Sequence, residues 1–400
     1  MNHDPTSAPN HAAILDAHFD PAYSTSVSQN VVELLARDYF RAELVGFDTV
    51  PEPPASGAPL IYAGNHSGMS FPWDAIIFMS KLYALAGYDF SRAARPLTAP
   101  ALSARRIMSP FFSPNFWKRA GGVDATIRNF EGLAARGREG GVLIYPEGIA
   151  GIGKGFDKRY HMQRFSNSFV RMAIKHRSDI VPVLTVNGEY INPLGYKSDF
   201  LNKFVQKLGL PFVPVGPLTT LVSLQPWSFY FGLPAKLTYV RGRRIRIDDL
   251  TDQPLEKLKV KELRHISSQV QKSMQEDLDE AVARHGHDPY HLDELAETWL
   301  AARDRLFYIL PAGWPVLFAE HDRLFQQRPN VAEPVRMSHG NFDFMRALSK
   351  NLKSLAYHIP FAGWPLLFLS HAIEDYESEA RAATDAIRKN QAAHQSRSSS

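Results

Sequence analysis

The feature that most constrains the fold of this chain is a set of three short apolar runs, each followed at once by polar residues. The runs are residues 60–64, 141–145 and 180–186, and they lead into Asn65-His66, Pro146-Glu147-Gly148 and Asn187-Gly188-Glu189. Apolar runs separated by helix-forming sequence are typical of parallel strands buried on both faces. We therefore predict an α/β fold with a mixed, mostly parallel sheet flanked by helices. Because ligands bind beyond the carboxyl ends of such strands, the polar residues are expected to meet at one edge of the sheet.

Four stretches of different character follow one another along the chain. Residues 1–28 are polar and predict a flexible tail, whereas residues 29–250 contain the apolar runs and predict the α/β domain. The spacing of apolar residues over 31–45 predicts an amphipathic helix at the start of this domain. Charged, helix-forming sequence then predicts a helical C-terminal region over residues 251–388, and residues 389–400 are expected to be disordered.

The C-terminal region contains one motif twice. Gly-Trp-Pro followed by an apolar stretch and a histidine occurs at residues 313–321 and again at residues 363–371. Two copies are too few for a solenoid, so they indicate a duplicated helical corner. The two copies could insert into a membrane interface, or they could pack the helical regions together.

Composition excludes several classes of function. The chain of 400 residues has no cysteine, which removes disulfides, thiolate zinc sites and cysteine nucleophiles. A formal net charge of +4 indicates mild attraction to anionic surfaces and not a nucleic-acid-binding protein. The N-terminus lacks the order of a secretory signal, and no window of about twenty residues is apolar enough to span a bilayer. Any membrane attachment is therefore expected to be peripheral.

His66 and Asp74 are the residues best suited to acid–base chemistry. An imidazole can accept a proton from an alcohol, and a carboxylate on its other nitrogen fixes its tautomer and orientation. Asp74 directly precedes an apolar segment that predicts a buried helix. Asp74 could therefore simply cap that helix, with His66 as an ordinary loop histidine.

Glycines and basic residues lie on both sides of the second apolar run, residues 141–145. Arg128 lies before this run, Glu147 and Gly148 lie directly after it, and Lys154, Arg159 and Arg164 follow. Glycine lets backbone amides approach an anion, and arginine binds phosphate with two parallel hydrogen bonds. A different interpretation is that Glu147 caps the next turn or pairs with Lys154, while the two later arginines lie on a solvated helix.

With these residues in place, the sequence resembles the lysophospholipid and glycerol-phosphate acyltransferase family over roughly residues 55–250. The resemblance depends on the order of four blocks, because each block is weak by itself. The blocks are Asn65-His66 with Asp74, residues 122–128 from Gly122 to Arg128, Tyr145-Pro146-Glu147-Gly148, and Ile180-Val181-Pro182-Val183.

The resemblance implies an O-acyltransferase of phospholipid biosynthesis that is cytoplasmic and peripherally attached to the membrane. His66 would be the general base and Asp74 would orient it, while the acceptor hydroxyl attacks acyl-CoA or acyl-carrier protein directly. No metal or cofactor is then expected beyond the acyl thioester co-substrate. The acceptor would be a lysophospholipid or a related glycerolipid, and backbone amides near Gly148 are candidates for stabilising the oxyanion. The implied substrate-binding residues are Asn65, Arg128, Glu147, Gly148, Lys154, Arg159 and Arg164.

The match departs from the common family motif in one respect. The loop between His66 and Asp74 is longer than in that motif, and Phe71 occupies the usual position of the aspartate. Two other functions therefore stay open: a lipid esterase or thioesterase that uses the same pair to activate water, and an inactive lipid-binding protein. A separation of more than about 6 Å between the His66 ring nitrogens and the Asp74 carboxylate would argue against the pair.

Two aromatic segments are candidates for contact with lipid. Residues 111–119 place aromatic side chains beside bases, and residues 224–234 combine aromatic residues with proline. Trp and Tyr favour the membrane interface because one end of each ring system is apolar and the other is polar. The same segments could equally pack into the core between strands.

Overall fold

A seven-stranded sheet forms the centre of the protein. The computed structural model describes residues 15–66, 68–207, 213–328, 330 and 333–372. The predicted disordered residues 389–400, and residues 1–14 of the predicted tail, lie outside the described residues. The strands are β1 (Glu43–Val45), β2 (Ile61–Gly64), β3 (Arg95–Thr98), β4 (Val123–Asp124), β5 (Val142–Ile144), β6 (Ile180–Val186) and β7 (Thr238–Arg241).

The strand order confirms the predicted mixed, mostly parallel sheet. The order is β1-β7-β6-β2-β5-β3-β4, and only the pairing of β6 with β7 is antiparallel. The three strands predicted from the apolar runs are β2, β5 and β6, and they lie side by side in the middle. Ile61 of β2 pairs with Val142 on one side and with Ile180 on the other. The carboxyl ends of these three strands therefore lie at the same edge, as expected.

Helices cover both faces of the sheet. The α-helices are α1 (Pro21–Val27), α2 (Glu33–Asp38), α3 (Trp73–Leu85), α4 (Pro100–Ala104), α5 (Phe116–Arg119), α6 (Ile127–Ala134), α7 (Ile149–Ile152), α8 (Asn167–His176), α9 (Asp199–Lys207), α10 (Pro217–Leu224), α11 (Ile247–Leu250), α12 (Val260–His285), α13 (Leu292–Ala301), α14 (Leu306–Ile309), α15 (Trp314–Gln327) and α16 (Asn341–Lys350). Residues 363–372 are also helical. A π-helical turn, Ser28–Val32, joins α1 to α2. The 3₁₀ helices are Arg106–Met108, Pro110–Phe112, Gly137–Glu139, Phe156–Lys158, Gly188–Ile191, Pro226–Tyr230, Leu255–Lys257, Pro311–Gly313 and Leu352–His358.

The N-terminal helical segment begins earlier and ends earlier than the sequence predicted. Asp20 caps α1 by accepting a hydrogen bond from the Tyr23 amide, and Tyr23 is fully buried, so residues 21–28 are part of the packed fold. The helix expected over 31–45 ends at Asp38, because Arg41 adopts a positive φ of 43° that turns the chain into β1. Helical spacing could not show this turn, since Arg41 is held by tertiary hydrogen bonds to the Pro234 and Tyr290 carbonyls.

The predicted helical C-terminal region packs directly on the sheet. α12 covers one face, where Leu263, Val270 and Met274 share a core with Ile61 of β2. α15 belongs to the core of the opposite face, which contains Tyr62, Val181 and Trp314. Alternate residues of each strand enter the two cores, as the period of a strand requires. Both helices thus complete the layers of the α/β fold.

The two Gly-Trp-Pro copies occupy different environments. Trp314 is buried, contacts Tyr39 and Trp73 edge to face, and donates its indole N–H to the Ile309 carbonyl at 2.8 Å. Trp364 is only half-buried and donates its indole N–H to the Val222 carbonyl at 2.8 Å. The first copy therefore packs the core, whereas the second lies against α10 near the surface. Across the described residues, no helix combines the length and the apolarity that crossing a bilayer requires.

Candidate active site at the carboxyl edge of the sheet

His66 and Asp74 lie together in spite of the long loop between them. His66 follows β2, Asp74 is in the first turn of α3, and the His66 Nδ1 and Asp74 Oδ2 atoms are 3.5 Å apart. The Asp74 carboxylate is buried, and most of the His66 ring is buried as well. The separation is well below the distance of about 6 Å beyond which the aspartate could not orient the histidine, even through a water molecule.

Hydrogen bonds from distant segments fold the connecting loop. Met69 has a positive φ of 53°, its amide donates to the Ile152 carbonyl at 2.5 Å, and its carbonyl accepts from the Asn192 side chain at 2.7 Å. These contacts take up the extra loop length and return the chain to α3.

Asp74 is not the cap of α3, because the N-cap position is Pro72. Its carbonyl accepts a hydrogen bond from the Tyr239 hydroxyl at 2.8 Å. The first turn of a helix favours a negative charge, so α3 stabilises the ionised carboxylate beside the imidazole. The interpretation of Asp74 as an ordinary helix cap is therefore wrong in its geometry.

Tyr145 holds the other side of the His66 ring. The two rings stack with their centroids 3.9 Å apart and an angle of 14° between their planes. Behind Tyr145 lies Gly64, where an added Cβ would come within 2.7 Å of the tyrosine ring. Glycine at this position thus lets the tyrosine pack flat between β2 and the imidazole.

We expect Gly64→Ala to displace Tyr145 and, through it, the His66 ring. Overpacking of this kind should lower the free energy of unfolding by roughly 1–3 kcal/mol, which urea denaturation would measure. Gly340→Ala is the matched control, since its added methyl group would meet only the end of the Asp343 side chain. Equal stability of the two variants would contradict this packing.

Glu147 supports the loop that carries His66. One carboxylate oxygen accepts the His66 amide at 3.0 Å, and the other accepts the Gln163 amide at 2.5 Å. Burial raises the pKa of the Glu147 carboxyl, and the charge of Lys154 and the two amides oppose that rise. Both oxygens are thus used inside the protein, so these contacts favour a positioning role for Glu147 over contact with a substrate.

Lys154 is a buried cation behind the same loop. Its ammonium group is 3.0 Å from the Glu189 carboxylate and donates to the His161 carbonyl at 3.3 Å. Burial lowers the pKa of Lys154, but the carboxylates of Glu189 and Glu147 outweigh burial and raise it above the ordinary value. Glu189 was not predicted as a site residue, although it follows the third apolar run in the way that Glu147 follows the second.

Asn65 joins β2 to β6. Its amide nitrogen donates to the Thr185 carbonyl at 3.1 Å, and its amide oxygen accepts from the Thr185 N–H at 2.7 Å. The side chain is fully buried. These contacts extend the pairing of the two strands by one residue and fix the backbone from which His66 projects.

The three predicted arginines lie on the surface. Arg128, Arg159 and Arg164 are exposed, and none of them lines the cavity beside His66. Arg159 lies over the Phe156 ring at 5.0 Å. Gly148 does line the cavity, with a positive φ of 57°, but its amide already donates to the Tyr145 carbonyl at 2.9 Å. The amide of Gly148 itself is therefore not a free oxyanion donor.

A large apolar cavity of about 640 Å³ begins at His66. One side follows a single face of α3 through Ile76, Met79 and Tyr83, and another is formed by Leu218 and Val222 of α10. Other wall residues are Val27, Val32, Leu97, Leu102, Ile107, Phe116, Trp117, Phe229, Phe231, Trp364 and Phe368. These walls bring together both predicted aromatic segments and the second Gly-Trp-Pro copy. Sequence spacing could not identify them as neighbours, because they come from separate elements.

In the described part of the chain, no group of three or more His, Asp or Glu side chains is placed to hold a metal ion.

Comparison with known proteins gives relatives without an assigned activity. No family model matches the chain. It is 30% identical over 224 residues to an uncharacterized protein of Mycobacterium tuberculosis, a match that covers 54% of this chain and 58% of the relative. An uncharacterized protein of Mycobacterium leprae is 30% identical over 228 residues, covering 55% of this chain and 58% of that protein. The chain thus spans less than two thirds of the length of these curated relatives.

One solved structure shows a distant likeness. It is the crystal structure of the 1-acyl-sn-glycerophosphate acyltransferase from Thermotoga maritima, with 12% sequence identity and a TM-score of 0.33 over 70% of this chain and 84% of that chain.

Proposed function

We propose that this protein transfers a fatty acyl group from an acyl thioester, acyl-CoA or acyl-carrier protein, to a hydroxyl group of a lysophospholipid or related glycerolipid. One observation carries the proposal: His66, with Asp74 beside it, lines the wall of an apolar cavity of about 640 Å³. A base beside an apolar cavity suits a reaction in which an alcohol must be activated next to a long hydrocarbon chain.

The reaction follows from the orientation of the imidazole. We place the imidazole proton on the His66 Nδ1 atom, which lies 3.5 Å from the Asp74 carboxylate, and this leaves Nε2 as the base toward the acceptor hydroxyl. Nε2 takes the hydroxyl proton while the acceptor oxygen forms a bond to the thioester carbonyl carbon. The C–S bond then breaks, and the leaving thiolate receives the proton from the imidazolium. The carboxylate of Asp74 stabilises the imidazolium in between, and no covalent acyl-enzyme is formed.

The surrounding residues act by positioning this base. Tyr145 fixes the plane of the ring, and Glu147 fixes the backbone of His66. Lys154 and Glu189 form a buried pair that supports the same loops. The exposed Arg128, Arg159 and Arg164 are proposed contacts for the phosphate groups of the donor or the acceptor.

An acceptor panel tests the proposal directly. Purified protein is incubated with labelled acyl-CoA or acyl-carrier protein and with a series of lysophospholipids and other glycerolipids, and the products are read by lipid mass spectrometry. We expect label in an esterified lipid. Free fatty acid without any acylated lipid, whatever acceptor is offered, would instead support an esterase or thioesterase. Tight lipid binding with no turnover would support an inactive lipid-binding protein.

The proposed place of action is the surface of a membrane on the cytoplasmic side. A long-chain acceptor and its product partition into a bilayer, so the enzyme must reach them there. The cavity offers an apolar route from that surface to His66.

A further inference from the structure

Large apolar side chains lie exposed at both ends of α10. At the N-terminal end, Leu194 and Tyr196 lie beside Val215, because Tyr196 and Val215 exchange backbone hydrogen bonds, and Phe200 follows with an exposed fraction of 85%. At the C-terminal end, the Phe361 amide donates to the Leu224 carbonyl at 3.2 Å, and Phe361 is 72% exposed. Phe368 and Leu369 are exposed on the helical residues 363–372. We call these six residues (Leu194, Tyr196, Phe200, Phe361, Phe368 and Leu369) the apolar rim.

The apolar rim is continuous with the cavity. Phe368 is both exposed to solvent and part of the cavity wall. Leu218 and Val222 of α10 line the cavity, and α10 has eight residues, so the two parts of the rim are separated by about 12 Å of helix. Exposed apolar groups around the mouth of an apolar cavity are unusual on a soluble surface and indicate an interaction site.

The charges near the rim are mostly basic in the sequence. Between Leu194 and Lys236 the charged residues are Lys197, Asp199, Lys203 and Lys207, of which Lys197 and Asp199 form an ion pair at 2.8 Å, and residues 344–373 contain Arg346, Lys350 and Lys353 but no Asp or Glu. These two segments supply or adjoin both parts of the rim. A surface of exposed aromatic and aliphatic side chains with bases and few acids fits the interface of an anionic phospholipid bilayer.

Two other occupants fit less well. Residues 373–400 follow the rim in the chain, but in sequence their large apolar residues are only Ile373, Tyr376 and Ile387, too few to cover it. A second copy of the chain would have to meet this surface with the same surface, as two-fold symmetry requires. That arrangement would bring the bases of both copies together, which disfavours it.

We propose that the apolar rim docks into the interfacial layer of an anionic phospholipid membrane and so places the mouth of the cavity at the lipid surface. The inference deepens the proposed function and rests on it for its purpose, since a lipid acceptor would pass from the bilayer along α10 to His66. The docking itself needs no substrate. It can therefore be measured separately from acyl transfer.

The test is sedimentation of the full-length protein with vesicles of phosphatidylcholine, with and without phosphatidylglycerol. We expect the wild-type protein to bind the anionic vesicles more strongly and to lose part of this binding at high salt. Phe361→Ser with Leu369→Ser should lower the vesicle partition coefficient about tenfold or more, because two large apolar groups no longer enter the interface. The control is Val260→Ser on α12, whose side chain is 58% exposed compared with 61% for Leu369. This control should bind like the wild type.

Several outcomes would overturn the docking proposal. One is equal binding of the rim variant and the wild type; another is a wild-type dimer in light scattering that the rim substitutions dissociate. If the first variant fails to fold, as judged by circular dichroism, Tyr196→Ser with Phe200→Ser on the other side of α10 replaces it and is expected to give the same loss.

The His66→Ala protein should bind vesicles like the wild type. Vesicle binding without acyl transfer would overturn the proposed function alone, and acyl transfer to detergent-dispersed acceptor without vesicle binding would overturn docking alone.

Discussion

Replacement of His66 by alanine is expected to lower the rate of acyl transfer about a hundredfold or more, because the acceptor hydroxyl loses its general base. The structure supports a base role for His66, because the Asp74 carboxylate lies 3.5 Å from the His66 Nδ1 atom and can stabilise the imidazolium. The measurement is the initial rate of labelled lipid formation at saturating acyl thioester. Activity close to that of the wild type would exclude His66 as the base.

Two further variants separate catalysis from folding. Asp74→Asn keeps the size of the side chain but removes its charge, so we expect kcat to fall while the KM for the acyl donor changes little. His287→Ala alters an exposed histidine of the loop that follows α12 and should leave the rate unchanged. Parallel losses of kcat in the His66 and Asp74 variants, together with unchanged urea midpoints, would identify the pair as a catalytic unit.

Replacement of Lys154 by methionine is expected to lower the free energy of unfolding by about 3–5 kcal/mol, because the substitution leaves the buried Glu189 carboxylate without its cation. The two groups are 3.0 Å apart and both side chains are almost fully removed from solvent. The measurement is the urea concentration at the midpoint of unfolding. The double variant Lys154→Met with Glu189→Gln should recover part of the loss, since no unpaired charge then stays buried.

The control for this prediction is an exposed ion pair. Lys272→Met removes one of the two basic partners of Glu276 on α12, the other being Arg243. Both side chains of the Lys272–Glu276 pair are largely exposed and they are 3.9 Å apart, so the change in the free energy of unfolding should be no more than about 0.5 kcal/mol. The pKa of Lys154 is raised in the folded protein, so its contribution to stability is complete below its ordinary, unfolded-state pKa. That contribution is lost only as the pH rises through the raised value. The difference between wild type and Lys154→Met should therefore be constant near neutral pH and shrink in strong alkali. A similar loss for the Lys272 and Lys154 variants would contradict the prediction.

The central strands could be predicted because burial on both faces leaves a continuous apolar run in the sequence. β2, β5 and β6 carry such runs, and all three lie in the middle of the sheet. β1, β3, β4 and β7 all have partly exposed positions and each contains a charged residue, so they leave no comparable run. Their strand conformation depends on pairing with neighbours that are distant in the chain.

The surroundings of the candidate base could not be predicted in the same way. Met69 is held by Asn192, and Asn65 by Thr185, over separations of more than a hundred residues. The two Gly-Trp-Pro copies show the limit most directly. Their local sequences are alike, yet Trp314 is buried in the core and Trp364 lies at the cavity wall. Local sequence determines the conformation of a helical corner, but not what packs against it.

By itself, the sequence determined the class of the fold, the three central strands that end in polar residues, and the histidine and aspartate that were candidates for a pair. These features depend on local apolar patterns and on which residues directly follow a strand. Only the tertiary structure decided that the longer loop still brings His66 and Asp74 within 3.5 Å, that Glu147 and Lys154 lie behind the base, and that an apolar cavity opens beside it. The physical reason is that distances between side chains, burial and cavity walls arise from contacts between segments far apart in the chain. Such contacts leave no periodic pattern in any one segment.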